Sequence, residues 1–502
     1  MNPIDILYEG RRAGPDRPAL NAGEHTVSHA ALIALVDALA ADLVRRGLDR
    51  GRRIGLCAAN NWRHVAAYLA ILRAGAVWVP LNPRNGPTLN AEIQRRAELD
   101  LLLVDDDSRD QIGSCARKLN LANWTDRPAS TDVPPPLDHD PDAVFAVKFT
   151  GGSTGRPKGV VQTRRSAAAA LRSMQAYYGF TAQDVNLAVA PLTHGAAHYV
   201  LPVLAAGGAH VVLAKPDRVA VLDELRRRVS IAFMPPTLIY LLMEEAAFGP
   251  DDFPALRHLT WSAAPMPPAR VRQAVARFGP VLGALYGQTE APMTIAALSP
   301  AQVADAATEG AAGYPFADTP VRVLTSEGRI AGQGEGEILV GGDLADTSYL
   351  DDPEATAAAR HDGWLRTGDL GRIDPDGLLT LLGRSREMII SGGYNIYPAE
   401  VEAALCAHPA VREACAFGVD DPVWGERLEA AVAFDAALTD PAALMDHVRR
   451  TLGPVRTPKI LHDLAALPRN PVGKVVRADV RNLIHPARTT TGREDTRRRN
   501  SR

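Results

Sequence analysis

The feature that most constrains this chain is a recurring short apolar run closed by Pro, Gly or Ser, with helical stretches interspersed. Runs at 53–58, 76–81, 101–104, 144–149, 185–190, 209–213, 231–234 and 258–261 read as strands, while 30–46 and 62–73 carry helical spacing. Strands that are apolar throughout and alternate with helices belong in parallel sheets covered on both faces. After about 334 the pattern changes to the alternating GEILVGG and LRTGDLGRIDPDGLLTLLG, the second with an Asp376-Gly377 turn, which reads as a compact β unit. A further small α/β unit follows, with helices expected near 398–408 and 441–452 and strands near 411–419 and 429–434. The predicted fold is α/β: an N-terminal domain over 1–383, made of two parallel-rich α/β subdomains plus a β-subdomain, and a C-terminal α+β domain over 387–485. The Pro- and Asp-rich stretch 125–141 reads as a surface loop between subdomains, and 486–502, poor in apolar residues, as a disordered tail.

Composition narrows the function classes. The 502 residues are 46% apolar and 23% charged with a net charge of -3, so no excess of basic residues is available to hold nucleic acid. Cys57, Cys115, Cys406 and Cys415 form no CxxC pair and no zinc spacing, which predicts free thiols in a reducing compartment. The first residues lack the apolar core of a secretory signal. The longest apolar stretch, 199–213, is broken by Pro202, Gly207, Gly208 and His210, short of the roughly 20 apolar residues of a membrane span. The expectation is a cytoplasmic chain with no transmembrane helix.

Chemistry concentrates at 149–160, FTGGSTGRPKGV, which follows an apolar strand. Gly151, Gly152, Gly155 and Gly159 let backbone N–H groups converge on an anion, Thr150, Ser153 and Thr154 add hydroxyl donors, and Arg156 and Lys158 add positive charge. A triphosphate suits such a loop. It is not a Walker loop, because no glycine stands five residues ahead of a Gly-Lys-Ser/Thr triplet. Residues 151–155 do form a G-x-S-x-G, the nucleophile elbow of serine hydrolases. An elbow must open into a helix, however, and Pro157 and Gly159 fall where its first turns would form. A plain glycine-rich hairpin is the third alternative, and it gives no reason to gather hydroxyls with two cations.

Four more motifs follow in order: Tyr286-Gly287-Gln288-Thr289-Glu290; Trp364-Leu365-Arg366-Thr367-Gly368-Asp369; Gly383-Arg384 with Ser391-Gly392-Gly393-Tyr394-Asn395-Ile396; and Pro471-Val472-Gly473-Lys474. With TGGSTGRPKG they resemble the signatures of the adenylate-forming superfamily, which includes acyl- and aryl-CoA synthetases, luciferases and the adenylation domains of peptide synthetases. The similarity, which includes 74–82, covers roughly residues 5 to 484.

The resemblance implies an enzyme that uses ATP and Mg²⁺ to convert a carboxylic acid to an acyl-adenylate, releases pyrophosphate, and passes the acyl group to a thiol. Thr150, Gly151, Gly152, Ser153, Thr154, Gly155 and Lys158 would hold phosphates, Glu290 the Mg²⁺ and Thr289 a phosphate oxygen. Asp369 would accept the ribose hydroxyls with help from Arg384. Ala263, Ala264 and Pro265 would lie against adenine, with Tyr286 stacking and Gly287 and Gln288 beside it. The bland alternative for Asp369 is a turn cap before Gly371, and for Lys474 a solvated charge. By resemblance, Lys474 neutralises the adenylation transition state from a mobile C-terminal domain. That domain would rotate about a hinge at 384–386, centred on Arg386 where relatives often carry Asp or Lys, and bring in Ser391, Gly392, Gly393 and Tyr394 for thioester formation.

His194, in PLTHGAAH, resembles the P-L-x-H segment of CoA ligases and would shield the acyl carboxylate; a merely packed histidine is the alternative. His194 and His198 have i,i+4 spacing but no Glu between them and no third ligand, which argues against zinc. The absence of an acid near His194 disfavours an α-amino acid. Small Gly195, with Tyr199, Phe233, Trp261 and Met293 as candidate walls, suits an aryl, alicyclic or medium-chain acid. The thiol is expected to be that of coenzyme A, with a free-standing carrier protein as the alternative, on a monomer or homodimer. A non-catalytic scaffold would need a damaged motif, and none is seen.

Overall fold

The computed structural model describes residues 2–22, 25–114, 117–126, 133–150, 157–245, 247–470 and 473–486. The chain divides into two compact units, Met1–Arg386 and Glu387–Arg502.

The first unit is built on three sheets. The largest has nine strands, in the order Tyr314–Pro315, Ala296–Leu298, Leu282–Tyr286, His258–Trp261, Ile231–Met234, Val185–Ala188, Ala209–Val212, Pro18–Ala22 and His25–Ser28. Its centre is parallel. Ile231–Met234 and Ala209–Val212 are buried along their whole length, which is why the first reads as an unbroken apolar run and the second as one interrupted only by His210. The flanking pair Pro18–Ala22 and His25–Ser28 has no such run, so the sequence pattern does not reveal it.

The second sheet has seven strands, in the order Thr347–Tyr349, Lys158–Thr163, Val144–Thr150, Val77–Leu81, Arg53–Cys57, Leu101–Val104 and Lys118–Asn120. Here the expectation of parallel pairing needs one correction. Val144–Thr150 and Lys158–Thr163 are antiparallel, so the glycine-rich segment links a hairpin. The next helix, Arg164–Tyr178, starts only after that strand, capped by Thr163, whose hydroxyl accepts from the Ser166 amide. A strand followed by a strand excludes the nucleophile elbow, which needs a helix there.

The third sheet pairs Val321–Leu324, Gly334–Val340 and Trp364–Ile373 antiparallel, with Leu379–Arg384 on the last of these. Ile338, Val340, Leu365, Ile373 and Leu379 form its core with Val321 and Val323. This is the β unit read from the alternation, but it starts at Val321 rather than near 334.

The second unit is a five-stranded sheet with the helices Pro398–Cys406 and Pro441–Leu452 on one face and Arg477–Ile484 on the other. Alternation along Val411–Asp421 sorts the faces: Ala414 and Ala416 pack with Val401, Leu405 and Leu444, whereas Cys415 and Phe417 pack with Leu467 and Val480. Glu429 is fully buried; Arg427 pairs with its Oε1 at 2.6 Å, and His462 and His485 donate to its Oε2 at 2.7 and 2.8 Å. Cys57, Cys406 and Cys415 are buried and in no disulfide, and among the described residues no helix is long and apolar enough to cross a membrane.

Candidate active site

The strands Leu282–Tyr286, His258–Trp261, Ile231–Met234 and Val185–Ala188 lie side by side and parallel. The segments leaving their C-terminal ends, 287–293, 262–265 and 189–195, therefore emerge along one edge of the sheet, the position where open α/β sheets bind ligands. Sequence-expected residues that are far apart in the chain meet here.

Asp369 stands inside the strand Trp364–Ile373, directly opposite Arg384 in the register. Arg384 Nε lies 2.6 Å from Asp369 Oδ1, and Tyr286 Oη and Gln288 Nε2 both donate to Oδ2 at 2.5 Å. Gln288 Nε2 also donates to the Thr367 carbonyl at 3.0 Å. The turn-cap alternative fails, because the carboxylate faces Arg384, Tyr286 and Gln288 across strands. Burial, and then the neighbouring Asp369 charge, push the Tyr286 phenol well above its ordinary range, so it stays a neutral donor.

Two residues beyond Gln288, Glu290 is anchored at both ends. Tyr349 Oη donates to Glu290 Oε1 at 2.9 Å, and Thr347 Oγ1 donates to the Glu290 carbonyl at 2.7 Å. Gln162 Nε2 donates to the carbonyl of Thr289 at 2.8 Å, and the Lys158 ammonium sits 5.2 Å from the centre of the Tyr349 ring. Residues 289 and 290 are thus tied to the strand Lys158–Thr163, which follows the glycine-rich loop, and to its neighbour Thr347–Tyr349. Thr150 and Lys158 are the ends of the two strands that the loop joins; Gly151, Gly152, Ser153, Thr154 and Gly155 lie outside the described residues.

Ala263 holds φ 72 and Met293 φ 64, left-handed conformations that are uncommon for side chains with a Cβ. The Met293 backbone presses on Gly287: a Cβ there would meet Met293 N at 2.5 Å. Ala263 and Pro265 are exposed, and Ala264 partly so, which leaves a small-residue ledge beside Tyr286. At Gly195 a Cβ would stand 2.8 Å from the Phe233 ring and 3.4 Å from Met293 Sδ, so those three residues bound one wall. Trp261 is buried nearby in the same sheet. Tyr199 is wholly buried, shares a 2.6 Å hydrogen bond with Tyr178, and backs Phe233 at 5.4 Å between ring centres.

His194 is exposed, with Nδ1 2.8 Å from Thr193 Oγ1. His198 Nδ1 lies 3.2 Å from the Gly195 carbonyl, and desolvation, then the Lys148 charge, hold its imidazole well below the ordinary range. Lys148, in the middle of Val144–Thr150, is the residue that sequence reasoning missed, along with Tyr349 and Gln162. A lysine inside an otherwise apolar strand, AVKF, is the signal that could have found it.

In the second unit Lys474 is exposed: its amide donates to Asn470 Oδ1, and its carbonyl accepts from the Asn470 amide, both at 2.9 Å. Gly473 holds φ 85. Ser391 is buried, Tyr394 is exposed, and Gly392 and Gly393 take φ 58 and φ 83. A Cβ at Gly392 would meet the Trp424 ring at 2.9 Å. Arg386 is exposed at the last position of the first unit. A separate open cavity of about 350 Å³, between Arg50, Asp138 and Arg164, is lined by groups that pair with one another, Arg164 to Asp138 at 2.5 Å and Arg50 to Asp138 at 2.9 Å. None of the expected site residues lines it.

The chain is similar to known proteins along most of its length. Residues 8–350 match the family model for AMP-binding enzymes, and 400–474 that for the AMP-binding enzyme C-terminal domain. Over 476 residues the chain is 33% identical to a feruloyl-CoA synthase of an Amycolatopsis species, covering 94% of this chain and 96% of that protein. Over 361 residues it is 35% identical to the medium/long-chain-fatty-acid–CoA ligase FadD8 of Mycobacterium tuberculosis, covering 69% of this chain and 63% of that protein. The amide bond synthetase McbA of Marinactinospora thermotolerans has a similar structure, with a TM-score of 0.84 and 31% identity over 95% of this chain and 99% of that one.

Proposed function

Because the chain belongs to the AMP-binding enzymes, the adenylate-forming superfamily, and is an AMP-forming acid:CoA ligase, we propose that it activates an aryl, alicyclic or medium-chain carboxylic acid. The acid's carboxylate attacks the α-phosphorus of ATP, pyrophosphate leaves, and the acyl group then passes from AMP to the thiol of CoA. The observation that carries the reading is the Asp369 cluster and its adjacency to Glu290. An acceptor carboxylate for neighbouring ribose hydroxyls, that of Asp369, is fixed by Arg384, Tyr286 and Gln288, and Gln288 lies two residues along the chain from Glu290. Phosphoryl transfer asks mainly for such positioning, since much of the barrier is alignment and charge.

Each residue has a role in this reading. Asp369 and Arg384 orient the ribose, and Ala263, Ala264 and Pro265 lie against adenine with Tyr286 and Gly287. Thr150, Lys158 and the glycine-rich residues, with Thr289, bind phosphates. Glu290 fits an Mg²⁺ ligand: Tyr349 occupies Oε1, while Oε2 has no partner among the described residues, and Mg²⁺ is usually held by one or two carboxylates together with phosphate oxygens and water. When bound, the ion would offset negative charge on the pyrophosphate. His194 closes over the acid's carboxylate, and Gly195, Phe233, Trp261 and Met293 with Tyr199 behind them shape the acyl pocket. Lys474 brings a cation to the developing charge during adenylation. Rotation at Arg386 then exchanges it for Ser391, Gly392, Gly393 and Tyr394 during thioester formation.

The test incubates the purified chain with ATP, Mg²⁺, CoA and a panel of carboxylic acids, following pyrophosphate release and acyl-CoA by mass. Acyl-CoA formed only with ATP, from ring-bearing or medium-length acids, supports the reading. Turnover of α-amino acids alone, or product without ATP, refutes it.

A further inference from the structure

Lys148 is a lysine in the wrong place for a structural residue. Its strand, Val144–Thr150, lies inside the seven-stranded sheet, and the residue is 8% exposed. Burying an ammonium without a counter-charge is strongly unfavourable, so buried lysines are normally paired. Among the described residues no carboxylate lies within 4 Å of Lys148 Nζ; its contacts are His198 Nε2 at 3.3 Å and the face of Trp78, with the ring centre at 5.3 Å. His198 cannot serve as a counter-ion. Its Nδ1 lies 3.2 Å from the Gly195 carbonyl and so carries the proton, which leaves a neutral ring whose Nε2 lone pair accepts one N–H of Lys148. The indole Nε1 of Trp78 is also buried, and it has no hydrogen-bond partner among the described residues. Two neighbouring donor groups, one of them cationic, are therefore short of acceptors in a protein where buried donors are ordinarily satisfied.

The position of these donors indicates what supplies the acceptors. His198 hydrogen-bonds the backbone of Gly195, the residue packed against Phe233 and Met293 at the acyl wall. Lys148 thus stands one imidazole behind that wall. It also shares a face of its strand with Thr150, the last residue before the glycine-rich loop. Building on the ligase reading, we propose that Lys148 receives a second anionic group on the acyl substrate: the acid activated here carries, besides the reacting carboxylate, a carboxylate or sulfonate elsewhere on its skeleton. Burial draws the Lys148 amine down to about 7, which an anion entering beside it would reverse.

The experiment compares matched acids on the full chain by ATP-dependent pyrophosphate release: heptanoate with pimelate, cyclohexanecarboxylate with cyclohexane-1,4-dicarboxylate, and butyrate with 3-sulfopropionate. In at least one pair the doubly acidic member should have the higher kcat/KM, by about thirtyfold or more, as expected for a desolvated charge pair. Lys148→Met should collapse that ratio by a similar factor, and Lys148→Arg, which keeps the charge, should retain most of it. The proposal is overturned if the singly acidic member is used as well or better in every pair, or if Lys148→Met slows both members equally, which would assign Lys148 to the shared carboxylate. Should Lys148→Met not fold, the wild-type preference and Lys148→Arg decide. No pyrophosphate release with any acid defeats the ligase reading itself, a different result from a flat ratio.

Discussion

Replacing Lys148 with methionine exchanges a buried ammonium for an apolar chain of similar length, and the effect on stability should depend on pH in a defined direction. Burial lowers the folded-state amine from its ordinary 10.5 to about 7, whereas in the unfolded chain it stays protonated to about 10.4. Between those values the unfolded state binds more protons than the folded state, so wild-type stability rises with pH across this window. Below pH 7 both states are charged and the whole burial penalty is present; above about 10.4 both are neutral and it is gone. A drop from 10.5 to about 7, at 1.36 kcal/mol per pH unit, is on the order of 5 kcal/mol. Lys148→Met should therefore be the more stable protein at pH 6 by several kcal/mol, offset by up to about 1.5 kcal/mol of imperfect packing. The lead should shrink steadily toward pH 10. Guanidinium unfolding of both proteins at pH 6, 7.5, 9 and 10, reading the transition of the unit Met1–Arg386, measures the gap. A gap independent of pH, or a wild type that is more stable at pH 6, would mean that Lys148 already has a counter-charge, and the reasoning would fail.

Other perturbations separate the parts of the site. Lys474→Ala should cut acyl-AMP formation by about a hundredfold or more while sparing thioester formation from supplied acyl-AMP; equal loss in both half-reactions would refute its assignment to adenylation. Asp369→Asn keeps the shape but removes the charge that Arg384 faces, and should raise the KM for ATP by roughly tenfold to a hundredfold with little change for the acid, measured by steady-state kinetics. Gly195→Val puts side-chain atoms where even a Cβ would stand 2.8 Å from the Phe233 ring, so activity should fall for ring-bearing acids more than for short ones in the same assay.

Much of this molecule was legible from its sequence because local pattern and tertiary role coincide. Ile231–Met234 is an apolar run because both faces of the central sheet are covered, and the alternation along Trp364–Ile373 marks a strand with a buried face. The strand Pro18–Ala22 and the edge strand His25–Ser28 beside it were not legible, since neither carries a run long enough to stand out from a loop. At the site, the motif residues Asp369, Arg384, Tyr286 and Gln288 were each identifiable, but not that three of them converge on one carboxylate, because cross-strand register is not a property of local sequence. Tyr349 and Gln162 escaped notice for the same reason: each acts through a partner more than fifty residues away in the chain. Lys148 was passed over because an apolar strand tolerates one polar residue at an edge or rim, and only the three-dimensional structure places it at neither.

The most direct measurement of the central claim is the stoichiometry of a single reaction mixture containing the purified chain, Mg²⁺, CoA, one accepted acid and ATP labelled at the α-phosphorus. The account predicts that labelled AMP, pyrophosphate and acyl-CoA appear in equal amounts, and that without CoA a labelled acyl-AMP accumulates on the protein. Labelled ADP with inorganic phosphate in place of AMP and pyrophosphate, or thioester formed without ATP consumption, would contradict it.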